Sequence, residues 1–358
     1  MRKMLFLLTI IVILPCFSLV SRAEEGVDKY ISEFKNAVPD GTFDGEIDGE
    51  TIERELGFGT LLSEIFEIVS GEGSGVGAFF ATLLGSLVLL GIASTVSGEL
   101  AEAVSAAVGA VVSVLIFSSV YRIYSSVSEA VRDANDFFVA LIPVTVGITS
   151  LSGGNYTAGV QATGMSVCAA VISKLWGAAF TSVSGIGLAM SLISSYGGGG
   201  TDTVSRWVKN LFSRFLGIVT VMISGTLSLQ TMVASARDCA AMRAAKYAAS
   251  GMIPVVGSTV ASALSTLASG VSYVKGIVGG GTVLVLVSIM LSPLVLILMY
   301  RFALSLAKFA SEFFDIGGGV KIFSAYLYSL DTVLATYALS CLVYLFEIIL
   351  FVKGGVGS

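Results

Sequence analysis

Histidine is absent from the sequence. Without imidazole there is no Ser-His-Asp or Cys-His nucleophile pair, no His-ligated zinc and no haem held through a ring nitrogen. Charge is scarce as well. Only 13% of residues are Asp, Glu, Lys or Arg, against roughly 25% in soluble domains. So little charge cannot cover a water-facing surface when 55% of the chain is hydrophobic, and the surplus apolar area is expected to face lipid. Proline is rare, at 5 residues, while glycine reaches 41, a balance that suits close-packed membrane helices better than a disordered linker. Cysteine is sparse and scattered. Cys16 lies in the N-terminal apolar run, and Cys168, Cys239 and Cys341 sit in apolar or small-residue surroundings. They build neither a disulfide framework nor a CxxC metal site, and they read as small packing residues. No cofactor, metal or catalytic residue is expected, and the chain reads as a non-enzyme.

What is present is the layout of an exported membrane protein. Arg2 and Lys3 precede the apolar run Met4–Val20, and Ser21-Arg22-Ala23 follows. Residues 1–23 therefore read as a signal peptide cleaved after Ala23. An uncleaved first span is the competing reading, although Pro15 interrupts a run already short for one. Residues 24–74 hold 14 acidic and 3 basic residues, whereas 75–358 hold 11 acidic and 14 basic. The chain is thus an acidic extracytoplasmic segment joined to a mildly basic body, and acidic segments cross membranes readily. Asp40, Asp44, Glu46, Asp48 and Glu50 lack EF-hand spacing and read as a solvated linker.

The expected fold class is all-α: a polytopic membrane domain over 75–352 with about seven membrane-embedded helices, and a short tail at 353–358. Gly75–Val96, Ala103–Tyr121, Leu216–Val233, Thr282–Tyr300 and Thr332–Val352 are long or apolar enough to be spans or most of one. Phe137–Leu151, with Pro143 inside it, and the weakly apolar Pro254–Val274 are less regular. Arg122–Asp136 reads as a polar connection. Thr157–Ser195 is too long for one span and is expected to fold into two pieces near Lys174-Leu175-Trp176. Thr201–Arg214 reads as a separate amphipathic helix, interfacial or connecting. The glycine runs at 197–200, 279–281 and 317–319 follow no strand and lack a GK[ST] ending, so they read as breaks between helices rather than phosphate cradles. No basic-aromatic array points to nucleic acid.

Two groups of residues stand out. In the first, Gly257, Ala261, Ser265 and Ser269 recur every fourth position, with Ser258, Ser262, Thr266 and Gly270 beside them. A helix face with so little side-chain volume lets backbones approach closely. It fits a pore lining, a seam between copies of the chain, or packing within one chain. Gly77, Ala81 and Gly85 form a narrower seam, best read as packing. The second group is the charges at membrane depth, Lys174, Asp331 and Glu347. Each faces a wet cavity or a partner, or snorkels at a helix end, and Asp331 and Glu347 could pair with Lys174, Lys275 or Arg301.

The stretch GTLSLQTMVASARDCAAMRAAKYAASGMIPVVGSTVASALSTLASGVSYVKGIVG, residues 225–279, resembles the core of the stage III sporulation protein AE family. The likeness rests on Leu229-Gln230, Asp238, Arg243-Ala244-Ala245-Lys246, Ile253-Pro254-Val255-Val256-Gly257 and Lys275. The resemblance implies a mother-cell membrane location in a spore-forming bacterium. It implies other stage III sporulation membrane proteins as partners, and a share in a secretion-like channel that meets the forespore. It brings no catalytic residues. An independent small-solute transporter and a scaffold that recruits the other subunits are the alternative functions. The first would predict two halves with matching broken helices, and no internal repeat is visible.

Overall fold

The computed structural model describes residues 29, 32–38, 58–97, 100–195, 201–252 and 257–353. The signal-peptide reading, the acidic residues 40–50, the glycines 197–200 and Pro254 lie outside the described residues. Seven long helices follow one another: α1 (Phe58–Thr95), α2 (Ala101–Ala140), α3 (Ile142–Leu151), α4 (Asn155–Ser195), α5 (Thr201–Met252), α6 (Gly257–Phe313) and α7 (Gly317–Lys353). Helix is the expected form for backbone in lipid, because every N–H and C=O is satisfied within the segment.

Six stretches are long and apolar enough to cross a membrane: Leu62–Thr95, Ala101–Leu151, Asn155–Gly177, Gly217–Ala244, Gly270–Phe313 and Gly317–Lys353. These six are counted among the described residues only, and several of them join segments that the sequence reads as separate. Arg122–Asp136 is not a connection but part of α2. Leu141 then joins α2 to α3 with the hydrogen bonding of a continuing helix, its N–H donating to Phe137 O and its own C=O accepting from Thr145 N–H. Pro143 at the start of α3 lacks only an N–H that a first turn leaves spare. The amphipathic stretch Thr201–Arg214 is the beginning of α5 rather than a separate element.

Lys174-Leu175-Trp176 does not divide α4. Trp176 is an anchor, its indole N–H donating to Ser340 Oγ at 2.9 Å and its ring meeting Tyr337 edge-on. Gly279–Gly281 does not break the chain either, and α6 runs straight through it. Gly279 is there for close approach: a Cβ at that position would collide with the Val352 side chain on α7. A real reversal does precede Gly317–Gly319. It passes through Asp315, whose φ of 56° is left-handed, and is closed by Ile316 N–H to Ser311 O at 2.8 Å.

Helix α7 is the hub, packed against α2, α4, α5 and α6. Tyr326, Tyr337 and Tyr344 are fully buried along it, and Tyr124 is buried on α2. A phenol O–H in an apolar interior needs a partner, and each of these has one. Tyr326 donates to Ser113 O at 2.6 Å, Tyr337 to Met290 O at 2.9 Å and Tyr344 to Asn135 Oδ1 at 3.2 Å, while Tyr124 pairs with Ser329 Oγ. Many Ser and Thr hydroxyls instead bond the carbonyl one turn back in their own helix, as at Ser86, Ser113, Thr282, Thr332, Thr336 and Ser340. The tyrosines therefore set the register between helices, joined by Ser340, whose Oγ also accepts the Trp176 indole N–H from α4.

Candidate functional site

Buried polar side chains gather along α4 where it meets α5 and α7. The turn after α3 reverses at Gly153, whose φ of 81° suits glycine. Helix α4 then begins at Asn155, with Thr157, Gln161, Gly164 and Cys168 along one face at helical spacing. Asp238 of α5 is 2% exposed and sits at the start of α4. Its Oδ1 accepts the Tyr156 N–H at 3.1 Å and its Oδ2 accepts the Thr157 N–H at 2.8 Å. A carboxylate there meets unsatisfied N–H groups and the positive end of the helix dipole.

Lys275 of α6 lies within electrostatic reach of Asp238 and stands 5.7 Å from the centre of the Phe351 ring on α7. Four residues before Phe351 is Glu347, 4% exposed, which accepts the Cys168 S–H at 3.4 Å. Gly164 makes room for it: a Cβ there would come within 3.5 Å of a Glu347 oxygen and 3.0 Å of Leu227. Between these ends Gln161 Oε1 accepts the Thr149 hydroxyl at 2.8 Å. Gln161 Nε2 and Thr157 Oγ1 are buried without a hydrogen-bond partner among the described residues.

A second feature lies on the outer face. The Gly217–Ala244 span of α5 is the least buried of the six, at 17% of its window. A groove of about 350 Å³ runs along it, lined by Tyr156, Val160, Leu229, Gln230, Val233, Ala234 and Arg237. Gln230 and Arg237 are exposed there, and the Arg237 guanidinium is 5.8 Å from the Tyr156 ring centre.

The residues singled out from the sequence fall in several places. Glu347 lies against Gly164 and Cys168, while Asp238 from the family-like stretch sits at the start of α4 within electrostatic reach of Lys275. Asp331 is elsewhere, paired with Arg301 between α7 and α6. Lys174 is exposed, as is Arg243. The side chains of Gly257, Ser258, Ala261, Ser262, Ser265, Thr266 and Ser269 lie outside the described residues, as does that of Lys246; Gly270 is exposed. Gly77 and Gly85 meet nothing within 4 Å among the described residues, so their seam faces outward from those helices. Thr157 and Gln161 carry no sequence motif, and Cys168, read as a small packing residue, instead donates its S–H to Glu347 of a distant helix. The available signal was the polar stripe 157-161-164-168 within an otherwise apolar span.

The family model described as Stage III sporulation protein AE matches residues 47–355. The Stage III sporulation protein AE of Bacillus subtilis (strain 168) is 23% identical over 258 residues, covering 67% of this chain and 62% of that relative. The chain thus matches somewhat under two thirds of the relative's length. No solved structure matches.

Proposed function

The chain belongs to the stage III sporulation protein AE family, and from that membership we propose that it is a non-enzymatic, multi-pass subunit of a conduit joining mother cell and forespore. In this reading it sits in the mother-cell membrane facing the forespore, beside other stage III sporulation membrane proteins. Family membership supports a role in sporulation, and the six apolar spans support a membrane location.

The observation that carries the assembly reading is the outer face of α5. An arginine or a glutamine that faces lipid rather than water or protein is unfavourable. Gln230 and Arg237 on a barely buried span are therefore best met by a partner helix or an aqueous lumen. The small-residue face Gly257–Gly270 is the proposed second contact, lining the conduit or forming a seam.

The test is complementation of a spore-former that lacks its own copy. Gln230→Leu with Arg237→Leu should leave the chain abundant in the membrane. It should cut heat-resistant spores by about tenfold or more, and the other stage III membrane proteins should no longer copurify. Ser262→Leu with Ser265→Leu should behave alike. Normal spore counts and unchanged copurification from both pairs would reject the assembly role. If only the first pair were silent, α5 would be a lipid-facing helix and the contact would lie on α6.

A further inference from the structure

If α5 is an assembly face, as proposed above, its partner has a definite chemistry. We propose that the groove between α4 and α5 seats a transmembrane helix of another protein, which sets a carboxylate against Arg237 and a hydrogen-bonding side chain against Gln230.

Charge sets the first requirement. Of the eight charged residues on α5 six are basic, and the two acids are Asp202 and Asp238. Asp238 is turned inward, with both oxygens held by the Tyr156 and Thr157 N–H groups. Its neighbour Arg237 is exposed and makes no ion pair among the described residues. The Tyr156 ring, 5.8 Å from the guanidinium, holds that group at the groove. A planar guanidinium held in place matches a carboxylate through two parallel N–H···O bonds.

Position sets the second. Tyr156 directly follows the turn between α3 and α4, so Arg237 stands at the mouth of the groove. Further in, Leu227 of α5 reaches Gly164 of α4. Gln230 lies between these levels, seven residues from Arg237, which is about 10 Å and close to two helical turns. A phospholipid can offer a phosphate to Arg237. Its acyl chain has nothing for the Gln230 amide, which is costly to cover without a partner. A helix offers both, a carboxylate and, two turns away, an amide or hydroxyl. Aliphatic side chains between them would cover Leu229, Val233 and Ala234.

A second copy of this chain fits less well. The exposed acids on its longest span, Glu129, Asp133 and Asp136 of α2, stand at a different depth. Asn135 meets Tyr344, three residues before Glu347. Glu347 meets Cys168, eleven residues along α4 from Thr157, which meets Asp238. Helices α4 and α7 run antiparallel, as the Trp176–Ser340 and Cys168–Glu347 contacts show, so these steps lead in one direction. At 1.5 Å per residue, Arg237 is about 20 Å along the bundle from Asp136, over half the hydrocarbon thickness of about 30 Å. Copies related by an axis along the membrane normal keep each residue at one depth, so a neighbour's α2 does not bring its acids to Arg237.

Photocrosslinking in sporulating cells tests this. The full chain replaces the native copy and carries p-benzoylphenylalanine at Val233 or, separately, at Leu229, both exposed. The expected adduct is a transmembrane segment of another protein with an Asp or Glu within about two turns of the crosslinked residue. Arg237→Lys should keep the adduct. Arg237→Glu should lower both its yield and the count of heat-resistant spores by about tenfold or more, because a charge pair becomes a like-charge contact. Changing the partner's carboxylate to Arg should restore both in the Arg237→Glu strain. An adduct with lipid only, with a second copy of this chain, or with a segment lacking a carboxylate overturns the proposal. So does the absence of an adduct from either position, or a charge exchange that restores nothing. The assembly role is judged apart from this. Loss of copurification in the chain with Gln230→Leu and Arg237→Leu, beside a crosslinked segment without a carboxylate, would keep α5 as a contact face and remove only the acidic partner.

Discussion

A missing methyl group does as much for this bundle as a present hydroxyl. Gly279 lets α6 and α7 close against each other, because a Cβ would strike Val352. Gly279→Leu should therefore cost about 1–3 kcal/mol through overpacking. Tyr337→Phe removes one hydroxyl bond to Met290 O and should cost less, near 0.6 kcal/mol, the mean for such bonds in membrane bundles. Thermal unfolding of the two variants in the same detergent checks the order. A milder effect from Gly279→Leu than from Tyr337→Phe would mean that α6 and α7 separate locally without loss. Residue types alone showed that Glu347 needed explaining, since a carboxylate in an apolar run always does. They could not show that its surroundings include Gly164 and Cys168. Those neighbours are distant in sequence, and no periodicity within one segment joins them.

Elements were legible where hydrophobicity alone decides, and less so where charge or glycine interrupts it. The α-helical class and the apolar stretches inside α1, α2, α6 and α7 follow from composition and run length. The breaks were harder to place. Arg122–Asp136 has the polarity of a loop, yet it stays helical, with Ile123, Tyr124, Val127, Val131 and Ala134 on its buried side. A charged stripe on an amphipathic helix and a charged loop have much the same composition; only the spacing separates them. Ala101–Leu151 is 51 residues long, about 76 Å if straight at 1.5 Å per residue. That is more than twice the hydrocarbon thickness of about 30 Å, so part of it must project into water. Single cysteines check this. A cysteine at the exposed Glu129 should react in intact membranes with a water-soluble maleimide, and one at the lipid-facing Val114 should not. Equal labelling at both positions would show that the charged half is not outside the bilayer.

At the scale of the molecule, one helix holds the rest. Helix α7 contributes Tyr326, Tyr337 and Tyr344, the Asp331 partner of Arg301, and Glu347. A chain ending before Gly317 would leave the Met290 and Ser113 carbonyl partners without their phenols and Arg301 without its carboxylate. It should still insert, because its five remaining spans are apolar enough, but it should be cleared by proteases. Coexpression with a separate segment beginning at Gly317 should restore its level in the membrane. Stable accumulation of the truncated chain alone would show that α1–α6 form a self-sufficient body.

That dependence acquires a direction in time when the chain is made from its N-terminus. The ribosome releases the helix that everything leans on after all the others. Until then Lys275 and Arg301 wait in the bilayer without Phe351 and Asp331, the neighbours that α7 will bring. Newly made chains therefore pass through a vulnerable interval whose length is set by the speed of translating Gly317–Lys353, and a pause in that stretch should be more harmful than one within α1–α6.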